Sequence, residues 1–316
     1  MSEKQKKLKE TIIHLQEEAK SRTLTFLLIG RTGTGKSSTI NTLLGKKIAP
    51  VGSTEAVTRS VEVYQHEIHG MNIKIVDTPG LCDDLPENGR DEVYMQMIKS
   101  EVSEVDCLCL VKKLDDPRIT GDDLRTIQLI SQVLGSQIWH HAVIVFTCAD
   151  TIPPEKFNER LAVRTDLVRN AIKKVSPEGT RYRTIAATAI SNHEATLDTD
   201  KGERWLTELY ITIFNSLSRT SVIPFYFATA PRLVTQKKKK KRKKNTHAKN
   251  DEAREIVLRT EDEAVIKKKF KRHPILRTII KAGAVGVGTA IAGIPGGILS
   301  GVIAAAIESI MTLFTE

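Results

Sequence analysis

The sequence predicts an α/β fold: a mostly parallel sheet of about six strands covered by helices on both faces. Three observations predict it. Short apolar runs rich in branched residues recur at residues 24–29, 72–76, 105–111 and 142–146, the lengths of buried strands. Longer stretches with helical periodicity alternate with them, which is the pattern that lays successive strands parallel in one sheet. The first run empties into GRTGTGKS, residues 30–37, which matches G-x-x-x-x-G-K-[ST] in full and opens a helix.

That loop is a phosphate cradle. Gly33 and Gly35, with Gly30, keep Cβ atoms out of a turn whose backbone N–H groups point at a β-phosphate, and Arg31, Thr32 and Thr34 complete it. Lys36 reaches the β- and γ-oxygens. Ser37 offers its hydroxyl to Mg²⁺, and Ser38 continues the helix N-terminus, where the dipole favours anions.

Composition sets the frame for the rest of the chain. With 316 residues and 40% apolar content, it has enough material for a real core. The net charge of +10 would suggest nucleic acid if it were spread evenly. Residues 232–272 hold 17 Lys and Arg against 6 Asp and Glu, an excess of +11, so the remainder carries −1. The basicity therefore belongs to one segment. Cys82, Cys107, Cys109 and Cys148 show no metal-ligand spacing and read as thiols in a reducing cytosol. Residues 1–20 have no secretory apolar core and read as an amphipathic helix.

In order, the expected elements are a strand at 24–29, a helix at 38–44, a strand at 61–67 and a strand at 72–76. Then come a helix at 91–102, a strand at 105–111, a helix at 121–134 and a strand at 142–146. A helix at 154–174, a strand at 182–187 and a helix at 202–217 complete the alternation. A ligand of such a sheet lies at the carboxyl ends of its strands.

Several residues at those ends carry chemistry. Ras-like GTPases place a threonine in the loop after the first helix, facing Mg²⁺ and the γ-phosphate; Thr58 is the candidate, with Thr54 the weaker choice. The strand at 72–76 ends in DTPG, where Asp77 can hold the Mg²⁺ shell and the Gly80 N–H can sense the γ-phosphate. Leu81 follows, where Ras-like enzymes carry a glutamine that orients water, so hydrolysis should be slow or borrow a group from a partner. The strand at 142–146 ends in TCAD: Thr147 begins the motif, and Asp150 would accept from guanine N1–H and N2–H₂. The usual motif is [NT]-K-x-D, and Cys148 stands in place of the lysine. The loop AISN, with Ser191 and Asn192, would be the last to touch the base.

The runs GRTGTGKSSTINTLLG, VDTPGL and GSQIWHHAVIVFTCAD resemble the paraseptin GTPases: the immune-associated nucleotide-binding (GIMAP) family and the chloroplast outer-envelope Toc receptors. The similarity covers about residues 20–220, and these families typically lack the lysine of the fourth motif. The resemblance implies a Ras-like P-loop GTPase domain, GTP or GDP with Mg²⁺, slow turnover, and dimerisation across the nucleotide face. It further implies that Arg118, in LDDPRIT, approaches the partner's nucleotide, as a finger or as an interface contact.

The expected organisation is an N-terminal helix at 1–20, a GTPase domain at 21–222, a basic linker and charged helix at 223–275, a hydrophobic segment at 276–308 and a tail at 309–316. The segment 224–231 reads as the exit from the domain. Residues 237–244, KKKKKRKK, cannot fold on themselves because like charges repel. Residues 282–307 hold no charge, and as a helix would reach about 39 Å, enough to cross a bilayer core. Fourteen of those 26 residues are Gly or Ala, and Pro295 allows a hairpin or a protein-packed helix pair as alternatives. A polybasic stretch ahead of an uncharged span points to an anionic membrane surface and a C-terminal tail anchor with the body in the cytosol, and not to nucleic acid. The reading is a membrane-anchored GTPase that switches oligomeric state or effector binding. The alternatives are a GTP-binding scaffold or receptor with negligible turnover and a soluble nucleic-acid-associated GTPase.

Overall fold

In this computed structural model the described residues are 17–51, 61–78, 90–101, 104–175, 182–197, 199–235, 254–270 and 272. Their main sheet has six strands in the order β2-β3-β1-β4-β5-β6. They are β1 (Thr23–Ile29), β2 (Glu62–Ile68), β3 (Met71–Asp77), β4 (Cys107–Lys113), β5 (Ala142–Thr147) and β6 (Ala186–Ala189). β1, β4, β5 and β6 pair in parallel, with Leu28 opposite Cys109, Leu110 opposite Ile144 and Phe146 opposite Ala189. β2 and β3 are joined by two residues, His69 and Gly70, both at positive φ, so that pair is a tight hairpin and runs antiparallel.

The connections are helical: α1 (Lys36–Leu44), α2 (Arg90–Glu101), α3 (Gly121–Leu134), α4 (Pro154–Val175) and α5 (Asp200–Ser216). Each boundary has a local cause. α1 ends at Gly45, whose left-handed backbone returns its N–H to the Asn41 carbonyl. α3 begins in a capping box, with the Thr120 hydroxyl accepting from the Asp123 N–H while the Asp123 carboxylate accepts from the Thr120 N–H.

By internal contact the chain divides into two compact units. The first spans residues 25–65 and 74–216, and its core holds Phe26, Leu27, Ile75, Leu108, Val143, Ile144 and Phe146 at no exposure. Burying each such side chain stabilises by about 1.5–3 kcal/mol, so the central strands anchor the loops at their ends. Trp139 is buried there too, its indole N–H donating to Ser131 Oγ at 2.9 Å.

The second unit gathers the described parts of 1–24, 66–73 and 217–316. Residues 17–21 are helical, and the rest of the expected helix at 1–20 lies outside the described residues. The segment at 224–231, read as the exit from the domain, lies in this unit and forms α6 (Val222–Thr229) and one further turn. Every residue of α6 is buried, because a helix apolar all round, VIPFYFAT, can only be a core helix. Within 223–275, expected as a basic linker and charged helix, the described residues 254–270 include β8 (Ile256–Leu258), which pairs in parallel with β7 (Leu233–Thr235). The chain turns helical only at α7 (Thr260–Phe270), where Phe270 meets Tyr226 edge-on at 4.9 Å. Ile-Val-Leu at 256–258 favours the strand, and the charged stretch that follows favours the helix. Residues 237–244 and 282–307 lie outside the described residues, among which no helix is long and apolar enough to cross a membrane.

Candidate functional site

The site lies in the first unit, where β1, β3, β5 and β6 end. β1 delivers the chain into the loop at Gly30, and a Cβ there would sit 2.2 Å from the Val111 carbonyl oxygen of β4. Only glycine permits that approach. Gly35, at φ 86°, then turns the chain into α1. Between them Thr34 is buried, its hydroxyl donating to the Arg31 carbonyl at 2.8 Å, while Arg31, Thr32 and Gly33 form the exposed crest.

Lys36 is the first residue of α1 and only 7% exposed. Its ammonium donates to the carbonyls of Gly30 at 3.0 Å and Arg31 at 3.2 Å, which holds the positive charge inside the loop. One residue on, Ser37 Oγ donates to Asp77 Oδ2 at 2.5 Å. Asp77 ends β3 at zero exposure; burial pushes its carboxyl pKa up, against the lowering effect of the Ser37 hydrogen bond and the Lys36 charge. Among the described residues its other oxygen, Oδ1, is buried and meets no hydrogen-bond partner. An uncompensated carboxylate oxygen beside a serine hydroxyl is the oxygen donor set that a hard divalent cation takes together with phosphate and water. Mg²⁺ therefore fits Ser37 and Asp77. Among the described residues no cluster of three His, Cys, Asp or Glu could hold a metal, and a Mg²⁺–phosphate site needs none.

The fourth motif is tied to the phosphate loop from the opposite side. Thr147 Oγ1 donates to the Thr34 carbonyl at 2.7 Å and lies 3.3 Å from that of Lys112. Cys148 follows with left-handed backbone, φ 56°, and burial raises its thiol pKa. That conformation turns the chain so that Asp150 stands exposed in a single 3₁₀ turn. From the β6 loop, Asn192 Nδ2 donates to Thr39 Oγ1 at 3.0 Å, and it lies 3.3 Å from where a Cβ on Gly35 would be. Among the described residues Asn192 Oδ1 is buried without a hydrogen-bond partner. Ser191 is buried and accepts from the His193 N–H.

The structure thus brings together Thr34, Gly35, Lys36, Ser37, Asp77, Thr147 and Asn192 through hydrogen bonds and close approach. Ser38 is half-buried on α1, and Arg118 is exposed on the loop between β4 and α3. Thr58 and Gly80 lie outside the described residues. Three side chains at the site were not singled out from sequence. Thr39 links Asn192 to α1, Thr78 donates from the end of β3 to the Leu28 carbonyl at 2.8 Å, and Lys112 makes a buried ion pair with Asp123. The second hydroxyl after GKS signals Thr39, and the T of DTPG signals Thr78; a lysine at a strand end signals nothing by itself.

A buried strand, a glycine-bounded loop around an ammonium, and a serine–aspartate pair beneath it define a phosphate-loop nucleotide-binding α/β protein. Within that class, the chain belongs to the AIG1 family, whose model matches residues 24–190. It is 34% identical over 154 residues to GTP-binding protein A of Dictyostelium discoideum, covering 46% of this chain and 34% of that protein. It is 25% identical over 235 residues to translocase of chloroplast 108 of Physcomitrium patens, covering 68% of this chain and 23% of that one. The chain thus spans about a quarter to a third of the length of these relatives. Among solved structures it is similar to Toc33 of Arabidopsis thaliana in complex with GDP and Mg²⁺, with a TM-score of 0.52 and 25% identity over 69% of this chain and 92% of that one. A dimerisation-deficient mutant of Toc33 matches with a TM-score of 0.54, 25% identity and the same coverage. The Ras-like fold expected from sequence is the fold observed.

Proposed function

We propose that this chain binds GTP with Mg²⁺ and slowly hydrolyses it to GDP and phosphate, using the nucleotide state to change its association with a second copy or an effector. The observation that carries the reading is the Ser37–Asp77 pair with its orphaned buried oxygen, set against a phosphate loop that already encloses the Lys36 ammonium. The relatives support it: one is named a GTP-binding protein, and Toc33 is described with GDP and Mg²⁺.

In this reading the loop amides and Lys36 hold the β- and γ-phosphates and offset their charge. Ser37 and Asp77, with Thr58, hold the cation, which when bound neutralises charge on the phosphate oxygens. The Gly80 N–H senses the γ-phosphate. Asp150 accepts from the guanine N1–H and N2–H₂, while Thr147 and Asn192 keep the base-side loops against the phosphate loop. Arg118 reaches the nucleotide of a second copy; the dimerisation-deficient mutant of Toc33 supports association of two copies. Leu81 offers no polar group to orient water, so hydrolysis is slow in the isolated chain. Residues 21–222 form the GTPase domain, 282–307 anchor the protein from the cytosolic face, and 237–244 bind anionic headgroups.

The test is equilibrium binding of fluorescent GDP, GTP and ATP analogues with and without Mg²⁺, then single-turnover hydrolysis across protein concentrations. Tight, Mg²⁺-dependent guanine binding and a rate that climbs with concentration are expected; a preference for ATP would sink the reading. The absence of a glutamine at 81 favours a second reading, a GTP-binding scaffold with negligible turnover. A rate near zero even where dimers form would select it. Carbonate extraction of membranes tests the anchor, since release of the full chain to the supernatant would remove it.

A further inference from the structure

The end of β4 carries a feature that the nucleotide site does not require. Lys112 and Asp123 form an ion pair at 2.6 Å with both side chains only 9% exposed. Asp123 is the third residue of α3, and its second oxygen accepts from both the Thr120 N–H at 2.8 Å and the Thr120 hydroxyl at 3.0 Å. One carboxylate therefore closes the first turn of α3 and also binds that turn to β4. Beside the pair is a cavity with room for about one water molecule, lined by Gly30 and Arg31 of the phosphate loop as well as Lys112 and Asp123. A buried charge pair of this kind is costly to desolvate and adds little net stability, but breaking it is strongly unfavourable, so it enforces one geometry.

What lies between its two halves is the loop of residues 114–120, with Arg118 exposed on it. That loop is fastened at other points too. The Leu114 N–H donates to the Thr147 carbonyl at 2.9 Å, and Arg164 Nη1 of α4 donates to the Pro117 carbonyl at 2.5 Å. The residue next to Arg118 is thus pinned from α4, and the loop's far end is pinned through Asp123 to Lys112.

We propose that Lys112 and Asp123, together with Arg164, are positioning residues that hold the Arg118 loop in one conformation relative to the phosphate loop. Arg118 is then presented to a second copy already arranged, and the ordering cost of the loop is met in folding and not in association. The consequence for hydrolysis rests on the function proposed above; the tether itself does not.

Trypsin cleavage after Arg118, followed by mass spectrometry on the full chain, reads the tether directly, because proteolysis of a loop tracks how often it opens. In Lys112→Met and in Arg164→Ala, cleavage at this bond should run about fivefold or more faster, with other exposed sites cut at wild-type rates. Wild-type cleavage at Arg118 in both variants would overturn the inference, as would a rise shared equally by all sites. Arg164 is a half-buried surface residue, so that variant keeps the test open if Lys112→Met does not fold. A second measurement tests the consequence: Lys112→Met should remove the concentration-dependent part of hydrolysis, and the double variant with Arg118→Ala should be no slower than Arg118→Ala alone. Additive losses would count against positioning. Should wild-type hydrolysis show no concentration dependence, the dimer reading fails while the cleavage result still decides the tether.

Discussion

The two ends of the nucleotide site are built differently. At the phosphate end the charged groups, Lys36 and Asp77, are buried: Lys36 donates within its own loop, and Asp77, arriving on β3, accepts from Ser37 at 2.5 Å. At the base end Asp150 is exposed, and order comes from neutral side chains that reach across the sheet, Thr147 to Thr34 and Asn192 to Thr39. The difference teaches where the energy of binding and of specificity should lie. Charge enclosed at low dielectric should give affinity, while the exposed Asp150 carboxylate should give discrimination.

Breaking the phosphate end should have the largest effect. Lys36→Ala removes a charge-assisted contact to phosphate and should weaken GDP and GTP binding by about thirtyfold to a hundredfold, read by fluorescence titration. Asp77→Asn should separate affinity from stability. The cation loses a charged partner, so Mg²⁺-dependent binding should fall by about tenfold or more. Burial holds the Asp77 pKa up, so the folded free chain binds a proton more readily than the unfolded one, and its ionised form at neutral pH opposes folding. The asparagine variant should therefore unfold at a higher denaturant concentration at neutral pH, and the wild type should approach it as pH falls through the carboxylate range.

The base end should respond in selectivity. Asp150→Asn exchanges an acceptor for a donor, so GTP binding should drop by about tenfold or more while xanthine nucleotide gains, measured by competition between the two. The smallest effect should come from Cys148→Gly, which relieves the left-handed backbone at φ 56°. It should raise stability by up to about 1 kcal/mol in chemical denaturation with little change in the phosphate contacts. If Asp150→Asn weakened ATP and GTP equally, the contrast between the two ends would not hold.

How much of this could be read beforehand follows the same division. The strands at 24–29, 72–76 and 142–146 and the helix at 121–134 are visible as runs because each buries an apolar face of its own. That the segment at 224–231 forms a buried helix was not legible, since Phe225, Tyr226 and Phe227 needed a core that no local pattern announces. The Lys112–Asp123 pair was invisible for a related reason: a lysine at a strand end and an aspartate in a first helical turn are each ordinary until the fold sets them 2.6 Å apart.

Sequence by itself determined the phosphate loop, the Asp77 strand end and the family. Those features depend on glycine placement and on residues within a few positions of one another, where backbone geometry leaves little choice. Only the tertiary structure decided which neutral side chains join the β5 and β6 loops to the phosphate loop and α1, that Asp77 keeps an oxygen unpartnered among the described residues beside Ser37, and that the Arg118 loop is fastened from α4 and β4. Each of these joins residues distant along the chain or measures burial from water, and both are properties of packing.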